Sequence, residues 1–297
     1  LLKALFIEHR LPWRYSEKMK TIGYFLGLCQ EPYSLIFNKF KKWQWDSLKK
    51  NKNRQRKKLY KLIKYVHKNI PFYKKFIDSN NIKYSKKTIF SDIKKFPIMT
   101  KDIIRKNYKQ LINQKIKKEK YTENCSGGTT GEPIRILQNY KNYDYNGALT
   151  KLQYSWIGQG NNFIQLWGDE REIFKNKTKD KRGIIKKKEG HYILNSFRMS
   201  EEDMKRYIKF INKKKPYMIL AYVQSAYELA NFIKNNKINV YSPKGIMTSA
   251  GTLYPKMRKL IEDVFECKVF NRYGSREVHN IACDCKKQEG LHVDTFC

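Results

Sequence analysis

Tyr217-Met218-Ile219-Leu220-Ala221-Tyr222, Gly245-Ile246-Met247-Thr248-Ser249 and Lys268-Val269-Phe270-Asn271-Arg272 are three short, mostly apolar runs. Each has the length of a buried strand. Between the first two, Ser225 with Glu228 reads as a capping box that opens a helix to about Asn235. Between the second and third, Pro255 suits the first turn of a helix that runs to about Phe265. Just upstream, Ser200 with Asp203 opens an amphipathic helix carrying Met204, Tyr207, Ile208 and Ile211 on one face. Strand, helix, strand, helix, strand with short links predicts an α/β fold: a mostly parallel sheet with flanking helices.

Working outward, residues 1–115 read as a mainly helical segment packed beside an α/β core that spans 116–297 and is incomplete. Arg54–Asn69 is the cleanest helix, with Leu59, Leu62, Ile63 and Val66 at helical spacing on one face. Pro71 biases Ile70 away from the helix, so Ile70-Pro71-Phe72-Tyr73 is expected to turn. Thr100 caps another helix, with Asp102 favourable in its first turn. The charged stretch Asp169–Glu189 reads as a surface insertion, and Leu291–Cys297 as a strand with no closing cap. A first residue that is not Met and an open last strand give the expectation of a fragment.

The chain carries 63 Lys and Arg against 27 Asp and Glu, a formal charge of +36. A polyanion partner and a compositional bias of the AT-rich kind compete to explain it. The lysines are spread along the chain rather than gathered in one block, which favours the bias. Hydrophobic residues at 40% and aromatics at 14% provide for a real core and argue against disorder. Ile22–Cys29 is apolar but too short to span a bilayer, so no integral membrane association is expected. Six unevenly spaced cysteines without a secretory signal read as reduced thiols of a cytoplasmic protein.

Three segments can carry chemistry. Ser126-Gly127-Gly128-Thr129-Thr130-Gly131-Glu132-Pro133 packs glycines and hydroxyls densely enough to donate several hydrogen bonds to phosphate oxygens. It is not a Walker A loop, because no Lys-Ser/Thr follows its last glycine. The bland alternative is a flexible hairpin turn. Asn271-Arg272-Tyr273-Gly274-Ser275-Arg276-Glu277 follows a predicted strand. Gly274 permits a sharp turn there, Tyr273 offers a flat face to a base, and Glu277 a hard oxygen to Mg²⁺. A polar loop with an Arg–Glu pair is the alternative. Thr248-Ser249-Ala250-Gly251-Thr252 also follows a predicted strand, so it should share the carboxyl edge of the sheet with the second segment, where ligands of open α/β sheets bind.

Together these segments resemble the adenylate-forming (AMP-dependent synthetase/ligase) superfamily. Ser126–Pro133 resembles its phosphate loop, and Tyr273-Gly274-Ser275-Arg276-Glu277 its Tyr-Gly-x-x-Glu motif. Ile70–Tyr73, Phe96–Lys101, Thr248–Tyr254 and Glu289–His292 bring the match closest to the phenylacetate–coenzyme A ligase and CapK (capsular polysaccharide biosynthesis) branch. The resemblance implies ATP-dependent activation of a small-molecule carboxylic acid to an acyl-adenylate, then transfer to coenzyme A or another acceptor. It assigns Ser126, Gly127, Gly128, Thr129, Thr130 and Gly131 to the phosphates, with Thr130 catalytic. Ser249, Ala250 and Gly251 would line the purine pocket, with Asn271, Arg272, Tyr273 and Gly274 beside them and Tyr273 on the adenine. Ser275 would sit near the reacting phosphate or carboxylate, and Glu277 would hold Mg²⁺. Glu132 stands where many relatives have Lys. The family's ribose-binding Asp and the lid domain with its catalytic Lys would lie beyond Cys297, so reduced or no activity is expected of this chain.

His279, Cys283, Cys285 and His292, flanked by Cys267 and Cys297, raise the question of Zn²⁺, but structural thiols are the favoured reading. Cys125 reads as a packing residue. The rival functions are a basic binding module, for which no specific nucleic acid is indicated, and a degenerate, non-catalytic relative.

Overall fold

The computed structural model describes residues 33–116, 121–126, 133–158, 160, 162–168, 183–188 and 190–294. Two units divide it, residues 1–150 with 295–297 and residues 151–294.

In the first unit come α1 (Tyr33–Trp43), α2 (Leu48–Asn69), α3 (Pro71–Ser79), the single-turn α4 (Ile89–Asp92) and α5 (Lys101–Lys106). The antiparallel hairpin of β1 (Tyr121–Cys125) and β2 (Arg135–Asn139) follows. Helix α6 (Tyr140–Ile157) contains the point of division. α2 ends at Asn69 as Pro71 requires, but it begins at Leu48, ahead of the expected Arg54. The cause is local: Ser47 Oγ accepts the Lys50 amide at 3.3 Å, and Asp46 takes both the Lys50 ammonium and the Arg54 guanidinium. Ile63 is buried, whereas Leu62, expected on the same face, is 57% exposed. The turn expected at Ile70–Tyr73 is instead the start of α3, with Pro71 at its first position, where a missing N–H is harmless. Thr100 caps α5, accepting the Ile103 amide at 3.3 Å.

The second unit holds β3 (Phe163–Trp167), β4 (Ile184–Lys188), β5 (His191–Asn195), β6 (Met218–Tyr222), β7 (Gly245–Ser249), β8 (Val269–Ser275), β9 (His279–Asp284) and β10 (Leu291–Val293). Its helices are α7 (Glu201–Lys214), α8 (Val223–Asn235) and α9 (Pro255–Phe265). The sheet order is β10-β9-β8-β7-β6-β3-β5-β4. β8, β7, β6, β3 and β5 run parallel, while β4 at one edge and the β9–β10 pair at the other are antiparallel. Ile164, Leu166, Leu194, Ile219, Ala221, Ile246 and Val269 form one core cluster with Tyr207, Ile208 and Ile211 of α7, Leu229 and Ile233 of α8, and Ile261 and Phe265 of α9. Each Ile, Leu, Val and Phe among them contributes about 1.5–3 kcal/mol on burial. The intervening Met218, Leu220, Met247 and Phe270 are buried too, so both faces of the central strands are covered, as a parallel sheet demands.

Ser200 caps α7 as expected, accepting the Asp203 amide at 3.2 Å. The second capping box is not used: α8 begins at Val223 straight from β6, and Ser225 is a buried residue of its first turn. Part of the expected surface insertion, Ile184–Lys188, is edge strand β4; residues 169–182 and 189 lie outside those described. Of the strand expected at Leu291–Cys297, Leu291–Val293 pairs with β9, and 295–297 are likewise outside. No helix among the described residues is long and apolar enough to cross a membrane.

Candidate functional site

β7 and β8 are parallel neighbours with Thr248 opposite Asn271. That pairing brings Ser249-Ala250-Gly251 and the start of the Asn271–Ser275 segment to one carboxyl edge, as the strand–helix alternation implied. Ser249 is 8% exposed at the strand end, and Ala250 turns the chain with φ +58°. Gly251 lies so close to Val223 that an added Cβ would come 3.2 Å from the valine Cβ. Thr248 is fully buried, and its Oγ1 has no hydrogen-bond partner, which leaves a hydroxyl at this edge to be satisfied.

The Tyr-Gly segment is not the loop its polarity suggests. β8 continues through it to Ser275 and pairs with β9, Tyr273 opposite Ala282 and Ser275 opposite His279. Gly274 serves a close approach rather than a sharp turn: a Cβ there would stand 2.3 Å from the His279 carbonyl oxygen. The chain reverses only at Arg276-Glu277-Val278, where Ser275 Oγ accepts the Val278 amide at 3.4 Å. Tyr273 is 59% exposed, leaving its ring face open, and Glu277 is exposed in the turn. Because side chains alternate along a strand, Arg272 leaves on the opposite side from Asn271 and Tyr273. Its charge acts on Tyr154, Cys283 and Asp294.

Sequence reasoning passed over the residues that hold this edge together. Asp284 Oδ2 accepts the Asn271 amide at 2.8 Å and an Arg258 guanidinium N–H at 2.6 Å, tying β8 to β9 and α9. The chain leaves β3 toward β5 but leaves β6 toward β7, so the switch point of the sheet lies between β3 and β6. There Trp167 and Tyr222 lie with ring centroids 3.9 Å apart, Tyr222 donates to the Gly168 carbonyl at 2.8 Å, and the Phe197 ring lies against Gly168. The one sequence signal for this cluster is that two of its aromatics end apolar runs.

In the first unit, Ser126 closes the base of the β1–β2 hairpin. Its amide donates to the Ile134 carbonyl at 2.9 Å, and its Oγ accepts the Ile134 amide at 3.0 Å. Gly127, Gly128, Thr129, Thr130, Gly131 and Glu132 lie outside the described residues.

Near the end, burial pushes the Cys267 thiol up to about 12 and the Cys283 thiol higher still, so both hold their protons rather than act as thiolates. His292 packs against Trp156. Among the described residues no group of three or more His, Cys, Asp and Glu side chains is placed to hold a metal ion.

Asp294 is buried, and Gln153 Nε2 donates to its Oδ2 at 2.8 Å. Burial raises its carboxyl to about 7, against the opposing pull of Gln153 and Arg272. The folded state therefore keeps a proton that the unfolded chain has lost. Stability falls as pH rises from about 4 to about 7 and is level above, on the order of 2–4 kcal/mol from this group. Asp294→Asn is expected to flatten that slope in urea titrations between pH 5 and pH 8; an unchanged slope would place the carboxyl's titration elsewhere.

No family model matches the chain. Over 229 residues, 75% of its length, it is 31% identical to Protein CapK of Staphylococcus aureus and spans 49% of that protein. A crystal structure of 2-hydroxyisobutyryl-CoA ligase in the postadenylation state, in complex with 2-HIB-AMP, superposes with a TM-score of 0.61 at 13% identity, covering 83% of this chain and 54% of that one. An open conformation of the same ligase, in complex with 2-HIB-AMP and CoA, gives 0.57 at 12% identity, covering 80% and 56%. The chain thus spans about half the length of the relatives it matches.

Proposed function

The chain is a CapK homologue with the fold of the adenylate-forming ligases, and on that premise we propose that it carries the nucleotide-binding half of an enzyme that activates a carboxylic acid with ATP. The observation that supports this most is the meeting of Ser249-Ala250-Gly251 and the Tyr273 segment at one carboxyl edge, beside a buried hydroxyl without a partner. In the reaction we assign, a carboxylate oxygen attacks the α-phosphorus of ATP. The new C–O–P linkage forms as the α–β bridging P–O bond breaks, and pyrophosphate leaves with that electron pair. A thiol such as coenzyme A then displaces AMP from the acyl carbon.

Each residue has a task in this scheme. Tyr273 stacks its exposed ring on the adenine, and Ser249, Ala250 and Gly251 close around the base edge. Asn271 and Gly274 shape the same wall, while Arg272 adds positive potential from behind it. The resemblance assigns Ser126, Gly127, Gly128, Thr129, Thr130 and Gly131 to the phosphates, where their amides and hydroxyls would supply donors for the charge that develops. Ser275 lies beside the reacting phosphate or carboxylate. The acyl group rests on the aromatic floor of Trp167 and Tyr222 at the switch point.

A Mg²⁺ ion suits the donor set, because one exposed carboxylate, Glu277, matches an ion held chiefly by substrate phosphates and water rather than by a protein cage. Bound there, it would neutralise phosphate charge. We place the protein in the cytoplasm, in surface-polysaccharide synthesis, with a small-molecule acid as substrate.

Calorimetric titration of the chain with AMP tests the reading. Tyr273→Ala is expected to weaken binding by about 5- to 100-fold, the worth of one base–aromatic stack. Equal affinity in both proteins would remove the stack, and with it the assignment of this edge.

A further inference from the structure

Helix α2 differs from the lysine-rich remainder of the chain. Eight lysines and two arginines occupy Leu48–Asn69, and no acidic residue does. Helices α7 and α9 are also rich in lysine, yet they interleave Glu201, Glu202 and Asp203, or Glu262 and Asp263. α1 also lacks acids but carries only three lysines, so α2 gathers the largest uncompensated positive charge of any helix among the described residues.

The cations of α2 divide in two. Lys50 and Arg54 engage Asp46, Arg54 and Lys58 lie over the Trp43 ring, and Arg56 lies over Phe90. Lys57, Lys61, Lys64 and Lys68 are exposed and meet no acid among the described residues. Their spacing of four, three and four puts them in one stripe along the helix, on the side away from buried Ile63. Each consecutive pair is a like-charge neighbour that destabilises the helix in isolation, so a negative partner relieves what the fold leaves strained. Beside the stripe stands Tyr65, one turn beyond Lys61 and 48% exposed; Leu62, 57% exposed, lies one turn before Tyr65, on its far side from the stripe. The Tyr65 hydroxyl accepts from Asn113 Nδ2 at 2.6 Å, which fixes the ring at the surface.

We infer that this face of α2 docks the protein on an anionic bilayer surface. Four aligned ammonium groups match the charge of acidic headgroups, and Leu62 with Tyr65 matches the boundary between headgroup and acyl chain. A polyphosphate or nucleic acid in water would use the lysines and gain little from burying the leucine, so the apolar pair selects the membrane. The association is peripheral, since no described helix is able to span a bilayer.

Sedimentation of the 297-residue chain with vesicles tests the proposal. Binding to phosphatidylserine-rich vesicles, little binding to pure phosphatidylcholine, and release by salt are expected. Replacing Lys57, Lys61, Lys64 and Lys68 with Gln should weaken it by about fivefold per lysine, on the order of several-hundred-fold together. The same change of charge at Lys205, Lys209, Lys213 and Lys237, exposed lysines of the second unit, should weaken it far less. Leu62→Ser should weaken it a further few-fold, with circular dichroism unchanged in every variant. Equal loss from both lysine sets would overturn the proposal in favour of unspecific charge. Insensitivity to Leu62→Ser, together with equally tight binding to soluble polyphosphate, would overturn it in favour of a polyanion.

Discussion

Glu277→Ala is expected to lower acid-dependent ATP–pyrophosphate exchange by the complete protein by about 100- to 1,000-fold, the range in which loss of one preorganised electrostatic group falls. The size follows from the donor set. At the turn between β8 and β9 the chain offers an exposed carboxylate, and no three-residue acidic or imidazole cluster stands among the described residues to replace it. Removing its charge would weaken the hold on Mg²⁺, and with less of that ion bound the triphosphate's negative charge would be less compensated just where more develops. Glu277→Gln keeps the size and much of the hydrogen bonding but not the charge, so it should fall nearly as far. Raising the Mg²⁺ concentration should recover part of the loss in the Gln variant. Because Glu277 is an exposed turn residue, thermal stability should shift little. Exchange that survives both substitutions would mean the carboxylate has no part in the chemistry.

Gly274→Ala should destabilise the protein by about 2–4 kcal/mol, through backbone overlap rather than lost contact. An added Cβ would lie 2.3 Å from the His279 carbonyl oxygen and 3.1 Å from its carbonyl carbon. Neither atom yields by rotating a side chain. His279 is itself held at φ +61°, in the left-handed region, so its carbonyl has little room to swing away. The β8–β9 pairing must open next to its existing irregularity between Tyr273 and Gly274. At roughly 2–4 °C per kcal/mol for a domain of this class, the melting temperature should drop by about 5–15 °C. Gly251→Ala is the comparison, since its Cβ meets only the side chain of Val223, at 3.2 Å. It should cost clearly less, and equal losses would contradict the argument from backbone approach. The same overlap would move Tyr273, so nucleotide affinity should fall with stability at position 274 but hold at a destabilised core position.

The elements that a single segment specifies were legible in the sequence. β7 and α9 have the limits expected, Gly245–Ser249 and Pro255–Phe265, because a bounded apolar run and a proline at the first helical position are local signals. Ser200 and Thr100 cap their helices for the same reason. The differences arise where a distant partner decides. Residues 273–275 are polar and read as a loop, yet β9 supplies the hydrogen bonds that keep them in a strand. Pro71 stops one helix by its local geometry, and it is also the start of the next. Ser225 has the spacing of a cap, but β6 runs into α8 before reaching it.

The same division holds at the site. That residues 248–252 and 271–275 share an edge follows from strand–helix alternation, and the β7–β8 register bears out the adjacency of those strands. Asp284, which ties three elements together, sits in a Cys-Asp-Cys stretch with nothing in its neighbours to mark it. Trp167, Phe197 and Tyr222 come from three segments, and only the strand order gathers them at the switch point.

Carboxylate-dependent exchange of labelled pyrophosphate into ATP, measured on the complete protein over a panel of aromatic, hydroxy and amino acids, bears most directly on the central proposal. Exchange is expected with at least one acid, to require Mg²⁺, and to disappear when the acid is omitted. Tight ATP binding with no exchange for any acid in the panel, and no AMP formed when coenzyme A is added, would contradict it.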